Sequence, residues 1–470
     1  MELRQNRWQM LPVILALAWP TMLEQMMQTA VQYIDVAMVG SLGTEATAAV
    51  GATSTVNWLL GSTIDAVGVG FLAFISQACG AGEKQKVSKA SAQAALTALV
   101  LGIFFTVLTL SLSGFVPIWM QVDPQIRPLA SRYFAIVYSP MLARSVSIIF
   151  ATVLRAAGDT KTPMRVGIGV NILNVILNFF LIYPVRSVTF LGIRLVIPGA
   201  GLGVIGAALA SAASFWFGGV CMFRALWRHP VVSPRGQSLK PDLSVLRPCM
   251  KVAVPNALQR FATSFGYVAF AAMINSLGQV ATAAHTIANT VESAFYIPGY
   301  GMQAASATLA GNAYGARNRE RLRNIGSMII LAEVSLMVIS GSLLFLFAPD
   351  LMGIFGKDPQ VNLLGILVLR MVAVSEPFYG VSIVIEGMLH GMGRTKLPFV
   401  CNVFGMWGIR IVGTFLCTQM AGGGLVSAWA CMILHNLFLF VVYAACYRSK
   451  RFANLPETSG EIRKIYENNT

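Results

Sequence analysis

Apolar residues run along this chain in long blocks separated by short polar connections. Twelve blocks can be read, at about 11–39, 47–78, 90–115, 128–154, 162–183, 202–227, 246–274, 282–311, 324–347, 362–392, 397–419 and 424–447. A helix of about 20 apolar residues crosses the hydrocarbon core of a bilayer. The pattern therefore predicts an all-α polytopic membrane protein with twelve transmembrane helices. Several blocks exceed the crossing length, which predicts tilted or bent spans. One connection differs in kind. Residues 184–201, PVRSVTFLGIRLVIPGAG, alternate apolar and polar in part and are bounded by Pro and Gly. They predict a short hairpin, either a flap shaping a vestibule or an ordered loop without a role. The first block runs on past Val39. It lacks the short apolar region of a cleavable signal peptide.

The chain repeats itself. Residues 36–49, VAMVGSLGTEATAA, and 271–284, AAMINSLGQVATAA, are identical at nine of fourteen positions, 235 residues apart. The same spacing aligns Pro20 with Pro255, Gly80-Ala81 with Gly315-Ala316, and GDTKTP (158–163) with GRTKLP (393–398). Each copy holds six spans, so both copies start on the same side of the membrane. The repeats are then parallel, two six-helix lobes related by an axis near the membrane normal, with a site between them. The expected organisation is an N-terminal lobe at 1–228, a linker at 229–245, a C-terminal lobe at 246–447 and a tail at 448–470. The linker sequence, HPVVSPRGQSLKPDLSV, is rich in Pro, Ser and Gly.

Composition agrees: 56% of residues are hydrophobic, 11% are charged, and the mean hydropathy is +0.67. Soluble domains carry about 25% charged residues. A net charge of +15 could suggest a nucleic-acid partner, but its distribution argues against one. Of 34 Lys and Arg, 25 fall in the termini and alternate connections, and only Arg127, Arg132, Arg186, Arg194 and Lys357 fall in the others. That bias places both termini in the cytoplasm of a multi-pass protein. The seven cysteines are scattered without CxxC or metal spacing, and read as small core residues.

Ionisable residues inside a bilayer are costly, and each is a functional candidate. The acids are Glu24 and Asp35 in span 1, Asp65 in span 2, Glu292 in span 8, Glu333 in span 9, and Glu376 and Glu386 in span 10. Arg144, Arg260, Arg370 and Arg410 intrude as well. Asp35 lies about five residues from the outer end of its span. Asn174 and Asn178 share a helix face in the outer half of span 5, and Ser211 lies at similar depth in span 6. If spans 1, 5 and 6 adjoin, these four form one cluster able to hold a proton or a monovalent cation. Na⁺ would sit at Asp35, Asn174 and Asn178. Asp35 aligns with Phe270 and Glu292 with Asn57, so each copy has an acid that the other lacks. Glu292 precedes Pro298, Gly299 and Gly301. A kink there would turn it toward the central cavity, or it pairs with Arg260 or Arg410. Asp65 has no assignable polar partner at its depth and is a secondary coupling candidate. Arg410 is a secondary candidate for contact with substrate. Glu386 is expected to reach cytoplasmic water, and His285 and His435 to be satisfied by packing.

These residues resemble the multidrug and toxic compound extrusion (MATE) family, most of all its bacterial DNA-damage-inducible-type branch. The resemblance runs from about Leu11 to Tyr447. It rests on YIDVAMVGSLG in span 1, SQACGAG closing span 2, RAAGDTKTP after span 4, NILNVILNFFLIYP in span 5, GVIGAALAS in span 6, AAHTIANTVESAFYIPGYGMQAASATLAGNAYGA in span 8 and HGMGRTKLP after span 10. It implies two six-helix lobes around a central cavity, and export of organic, often cationic compounds in exchange for H⁺ or Na⁺. Asp35 matches the acid of span 1 that is central to coupling in related transporters, and Ser211 matches the usual hydroxyl of span 6. The family often has Asp where this chain has Asn178, so the cluster carries one negative charge fewer. An acid found in span 7 of one branch is absent from NALQRFATSF.

The expected function is secondary antiport from the bacterial inner membrane, by a monomer among membrane lipids, of small organic substrates against H⁺ or Na⁺ and with no other cofactor. A flippase or metabolite exporter of the same superfamily is the alternative within transport. A polytopic transferase would need a catalytic acid or His with cofactor ligands at one membrane face, and nothing resembles a phosphate-cradling loop. The expectation is a transporter rather than an enzyme.

Overall fold

The computed structural model describes residues 7–190, 193–355, 358–450 and 452. The expected tail beyond 452, and the charges Arg4, Lys357, Arg451, Arg463 and Lys464, lie outside those residues. The first half of the chain contributes helices α1 (Leu11–Gly40), α2 (Thr44–Gly80), α3 (Lys84–Leu112), the short α4 (Val116–Trp119), α5 (Arg127–Tyr138), α6 (Met141–Ala156), α7 (Lys161–Ile182) and α8 (Gly203–Arg228). The second half contributes α9 (Leu243–Asn275), α10 (Gln279–Gly315), α11 (Arg319–Phe355), α12 (Pro359–Gly391), α13 (Lys396–Phe404), α14 (Val412–Phe415) and α15 (Leu425–Arg448). Strands β1 (Pro184–Phe190) and β2 (Ile193–Ala200) pair antiparallel between α7 and α8, as the alternation at 184–201 predicts.

These elements make twelve spans in two lobes. Among the described residues nine helices are long and apolar enough to cross a membrane, and the α5–α6 pair forms a tenth span bent by 46°. The two remaining spans are α9 and α10, which pack at the junction of the lobes. The fourth span is therefore not one continuous helix. Pro140 separates α5 from α6: it has no N–H to donate, and its ring obstructs the preceding turn. The eleventh span is irregular too. Between and beyond α13 and α14 the chain widens into π-helical turns at Gly405–Ile411 and Leu416–Met420, and the first of these carries Arg410.

The repeat seen in the sequence is a repeat of backbone geometry. Gly43 before α2 and Gly278 before α10 adopt φ of 112° and 102°, a region that only glycine enters freely. The ends of α2 and α10 meet by exchanging equivalent contacts. Gly80 lies against the carbonyl of Asn312, and Gly315 against the carbonyl of Gln77. The 235-residue spacing maps one contact onto the other. A side chain at either glycine would overlap backbone atoms of the opposite lobe.

Both described chain ends lie on one face, the terminal face; the β-hairpin lies on the other. The two central helices are buried unequally along their lengths. From Ser62 to Ala78 almost every residue of α2 is buried or half-buried, whereas its beginning, Thr44–Gly51, is largely exposed. In α10, Gly299–Ala313 is likewise buried, and the part before it is more open. The lobes thus pack most closely toward the terminal face and more openly toward the hairpin face, where the Tyr33 hydroxyl of α1 still reaches the Thr290 carbonyl and Ser293 Oγ of α10 at 3.4 and 3.3 Å. Across the closed half, Thr21 Oγ1 donates to the Gly301 carbonyl at 2.8 Å, Gln77 Nε2 to the Gly391 carbonyl at 2.9 Å, and Thr308 Oγ1 to the Arg155 carbonyl at 3.1 Å.

The segment between α8 and α9 is held against α3. Ser88 Oγ donates to the Ser233 carbonyl at 2.6 Å, and Gln93 bridges the Lys240 carbonyl and the Asp242 N–H. Asp242 caps α9 through Ser244 N at 2.8 Å and pairs with Lys89. The Lys89 ammonium, with the Ser244 donors, holds the Asp242 carboxyl down at about 2.

Large side chains fill the lobe cores. Trp429 of α15 is fully buried in the second lobe and donates its indole N–H to His285 Nδ1 at 3.2 Å. Trp429→Ala is expected to cost about 3–5 kcal/mol, since it leaves a cavity and an unpaired ring nitrogen. Thermal unfolding in detergent checks this: the midpoint should fall, and an unchanged midpoint would contradict a packed second lobe.

Candidate functional site

The polar cluster expected from depth is assembled in the first lobe, in the half nearer the hairpin face. Helix α7 packs against both α1 and α8. Their ends are pinned by the hairpin connection: Leu202 N donates to the Leu181 carbonyl and Gly201 N to the Tyr183 carbonyl, both at 2.9 Å. Tyr183 also bonds Ser41 at the end of α1, hydroxyl to hydroxyl at 2.9 Å. These ties fix the register at which α1, α7 and α8 present their polar residues.

Asp35 of α1 faces α7. Asn178 Nδ2 donates to Asp35 Oδ1 at 2.7 Å and to Asn174 Oδ1 at 3.1 Å. Asn174 and Ser211 lie within 3.4 Å of each other. Both asparagines are buried, and Asp35 and Ser211 are half-buried. The Asn174 amide has two readings, because its orientation follows from the network. With its nitrogen toward α1 it donates to Asp35 Oδ1 and Oδ2 at 2.9 and 3.2 Å. Turned over, its oxygen faces the carboxylate, and only a proton or cation between the two acceptors makes that arrangement favourable. The side-chain oxygen of Asn178 is buried without a partner. An ionised carboxylate, two amide oxygens and a hydroxyl are ligands for a hard cation.

The other candidates lie elsewhere. Asp65 is not in this cluster. Its Oδ2 sits 2.7 Å from Arg260 Nη2 of α9, so it has a partner that the sequence could not assign, one supplied by the opposite lobe. Glu292 is 5% exposed and has no ion pair within 4 Å among the described residues. Arg410 reaches it only at longer range. Arg410 is itself buried and lies over the rings of Tyr267 and Phe270, 5.3 and 5.4 Å from their centroids. Glu333 and Glu376, near Glu292 on α11 and α12, are fully buried, and their carboxylate oxygens have no partners among the described residues.

Two expectations are corrected. Glu386 does not open to water. Its side chain is 14% exposed, and Oε1 accepts from Gln259 Nε2 at 2.7 Å and Asn402 Nδ2 at 3.3 Å. Neighbouring helices α9 and α13 fold over the end of α12 and replace that water. His285 is satisfied by Trp429, but both ring nitrogens of buried His435 lack partners among the described residues.

Comparison with known proteins places this geometry. The family model described as MatE matches residues 20–180 and 255–416, one match in each half of the chain. The "Probable multidrug resistance protein NorM" of Thermotoga maritima is 27% identical over 425 residues, which is 90% of this chain and 89% of the relative. The "Probable multidrug resistance protein YoeA" of Bacillus subtilis is 22% identical, covering 93% and 94%. Among solved structures, "Crystal structure of MATE in complex with MaL6" superposes with a TM-score of 0.85 at 22% identity, covering 93% of this chain and 95% of the other. "Outward-facing conformation of a multidrug resistance MATE family transporter of the MOP superfamily" gives 0.85 at 22% identity over 93% and 94%.

Proposed function

Because the chain belongs to the MatE family, whose members are transporters and not enzymes, we propose that it is a secondary antiporter. In this reading it exports organic, cationic or amphipathic, drug-like compounds in exchange for H⁺ or Na⁺. The observation that carries the reading is the polar cluster of Asp35, Asn174, Asn178 and Ser211, built inside one lobe beside a cleft that opens on one face. The positive bias of the terminal-face connections supports a cytoplasmic terminal face in the inner membrane, with the open half pointing outward. In this reading the protein works as a monomer among lipids.

The mechanism follows from the cluster's two states. With Asp35 ionised and unloaded, the Asn174 and Asn178 amides donate to it and tie α7 to α1. A proton or Na⁺ arriving from outside satisfies Asp35 itself. The Asn174 oxygen can then turn toward the carboxylate, and the Asn178 oxygen gains a partner. The hydrogen bonds joining α1, α7 and α8 are thereby rearranged at the wall of the cleft, and the substrate site is weakened. One charge moving down 100 mV supplies about 2.3 kcal/mol, enough to bias the rocking of the lobes.

Asn178→Asp introduces a second carboxylate one helical turn from Asn174. It should raise affinity for a monovalent cation about ten-fold or more, since like charges about 3 Å apart favour a bound counter-ion. Isothermal titration of the purified protein with NaCl checks this, and weaker or unchanged binding would argue against an oxygen-lined ion site. The reading as a whole is tested in proteoliposomes loaded with a fluorescent organic cation. Wild type should respond to an imposed pH or Na⁺ gradient, and a response to neither would overturn it.

A further inference from the structure

The inner half of the molecule contains charges that the antiport reading does not use. Five of them alternate in sign across the lobe boundary. Glu24 of α1 holds Arg155 at the end of α6, both carboxylate oxygens lying 2.8 Å from Nη2. Helix α6, which ends at Arg155, packs against α2, which carries Asp65. Asp65 pairs with Arg260 of α9 at 2.7 Å. Gln259, the residue before Arg260, donates to Glu386 of α12 at 2.7 Å. Among the described residues, and apart from Lys89–Asp242 where the linker enters α9, Asp65–Arg260 is the one ion pair that joins the first lobe to the second.

The repeat gives this series of charges a second meaning. Glu24 and Arg155 of the first copy align with Gln259 and His390 of the second. In the second copy that position is occupied by a network centred on Glu386, which accepts from Gln259 and lies 3.7 Å from His390 Nε2. Each lobe thus holds one carboxylate in an equivalent polar nest, Glu24 in one and Glu386 in the other. Arg260 pairs with Asp65 and follows Gln259, the donor to Glu386, so a second carboxylate is bound by the adjacent residue of its own helix. Its Nε is buried without a hydrogen bond, so this guanidinium is incompletely used where it stands.

We propose that Asp65 and Arg260 are the latch that holds the two lobes shut below the cleft, and that inward opening transfers Arg260 from Asp65 to Glu386. The pair sits at the floor of the open half. Asp65 keeps 40% and Arg260 32% of side-chain exposure, while the close backbone contacts of Gly80 and Gly315 lie beyond it toward the terminal face. When the lobes rock, the pair must separate, because its two members belong to different rigid bodies. A lone Arg and a lone Asp in a membrane interior are costly. Glu386 on the Arg260 side and Arg155 on the Asp65 side are the charges that limit this cost. The ion pair then acts as a two-position switch. This inference rests on the alternating-access reading.

The test measures lobe separation directly and not transport. Spin labels at Lys86→Cys and Arg321→Cys, equivalent exposed positions at the starts of α3 and α11, report the distance across the terminal face. The full chain, with its seven native cysteines replaced, is studied in nanodiscs by pulsed dipolar spectroscopy. Wild type should show mainly one short separation and a minor long one. Asp65→Asn and Arg260→Gln should each raise the long population about five-fold relative to the short. Asp65→Arg combined with Arg260→Asp should restore the wild-type ratio. Glu386→Gln alone should lower the long population, because it removes the second partner. Single variants with unchanged ratios, or a charge swap as open as the singles, overturn the latch and leave antiport standing. A wild type that shows no long population under any substrate or ion gradient would refute alternating access, and the latch with it.

Discussion

Asp35→Asn is expected to reduce gradient-driven efflux at least ten-fold while leaving insertion and folding intact. The reason is local. The replacement amide fits the same space beside Asn178 and Asn174, so the packing of α1 on α7 survives. It carries no charge, so it neither binds a cation nor releases a proton. The energy available from one charge at about 100 mV corresponds to about 50-fold accumulation of substrate, and in the proposed cycle all of it passes through this group. Facilitated equilibration without accumulation should remain, because the lobes and the substrate cleft are untouched. Efflux against a concentration gradient, measured beside equilibrium exchange in the same vesicles, separates the two. A variant that concentrates substrate as wild type does would remove Asp35 from coupling.

Gly80→Leu and Gly315→Leu should have effects of similar size by a different route. Each glycine faces a backbone carbonyl of the opposite lobe, closer than any side chain permits. A leucine there forces α2 and α10 apart at the terminal face, and the repeat relation makes the two positions equivalent. Both variants should insert, should lose transport at least ten-fold, and should lengthen the Lys86–Arg321 label distance. Gly114→Leu is the control, since its surroundings are open within 4 Å. If Gly80→Leu transports normally, the closed half seen in this structure is not a state that the cycle visits.

Much of this architecture is legible in the amino-acid sequence. The twelve spans follow from apolar blocks whose lengths match a bilayer, a pattern that tertiary context rarely overrides. The two lobes follow from the 235-residue repeat. Asp35, Asn174, Asn178 and Ser211 group together because depth along a span is readable in sequence, and common depth becomes common location once α7 packs between α1 and α8. What stays hidden depends on neighbours across the lobe boundary. Asp65 shows no partner at its depth, because which face of α2 meets which face of α9 is not encoded in any local pattern. Glu386 reads as a residue that reaches water because its span ends nearby, yet α9 and α13 cover that end. The break at Pro140 has a clear sequence signal, masked by the apolar block around it. The π-helical turns that carry Arg410 leave no sequence signal comparable to a proline.

The central claim is that an ion exchanged at Asp35 and a substrate carried between the lobes move in opposite directions in one cycle. It is tested most directly by following both fluxes at once in proteoliposomes, a fluorescent organic cation together with internal pH or Na⁺. An outward substrate gradient alone should drive H⁺ or Na⁺ the other way, and Asp35→Asn should abolish that counter-flux. Substrate movement in wild type with no opposing movement of either ion would contradict the claim.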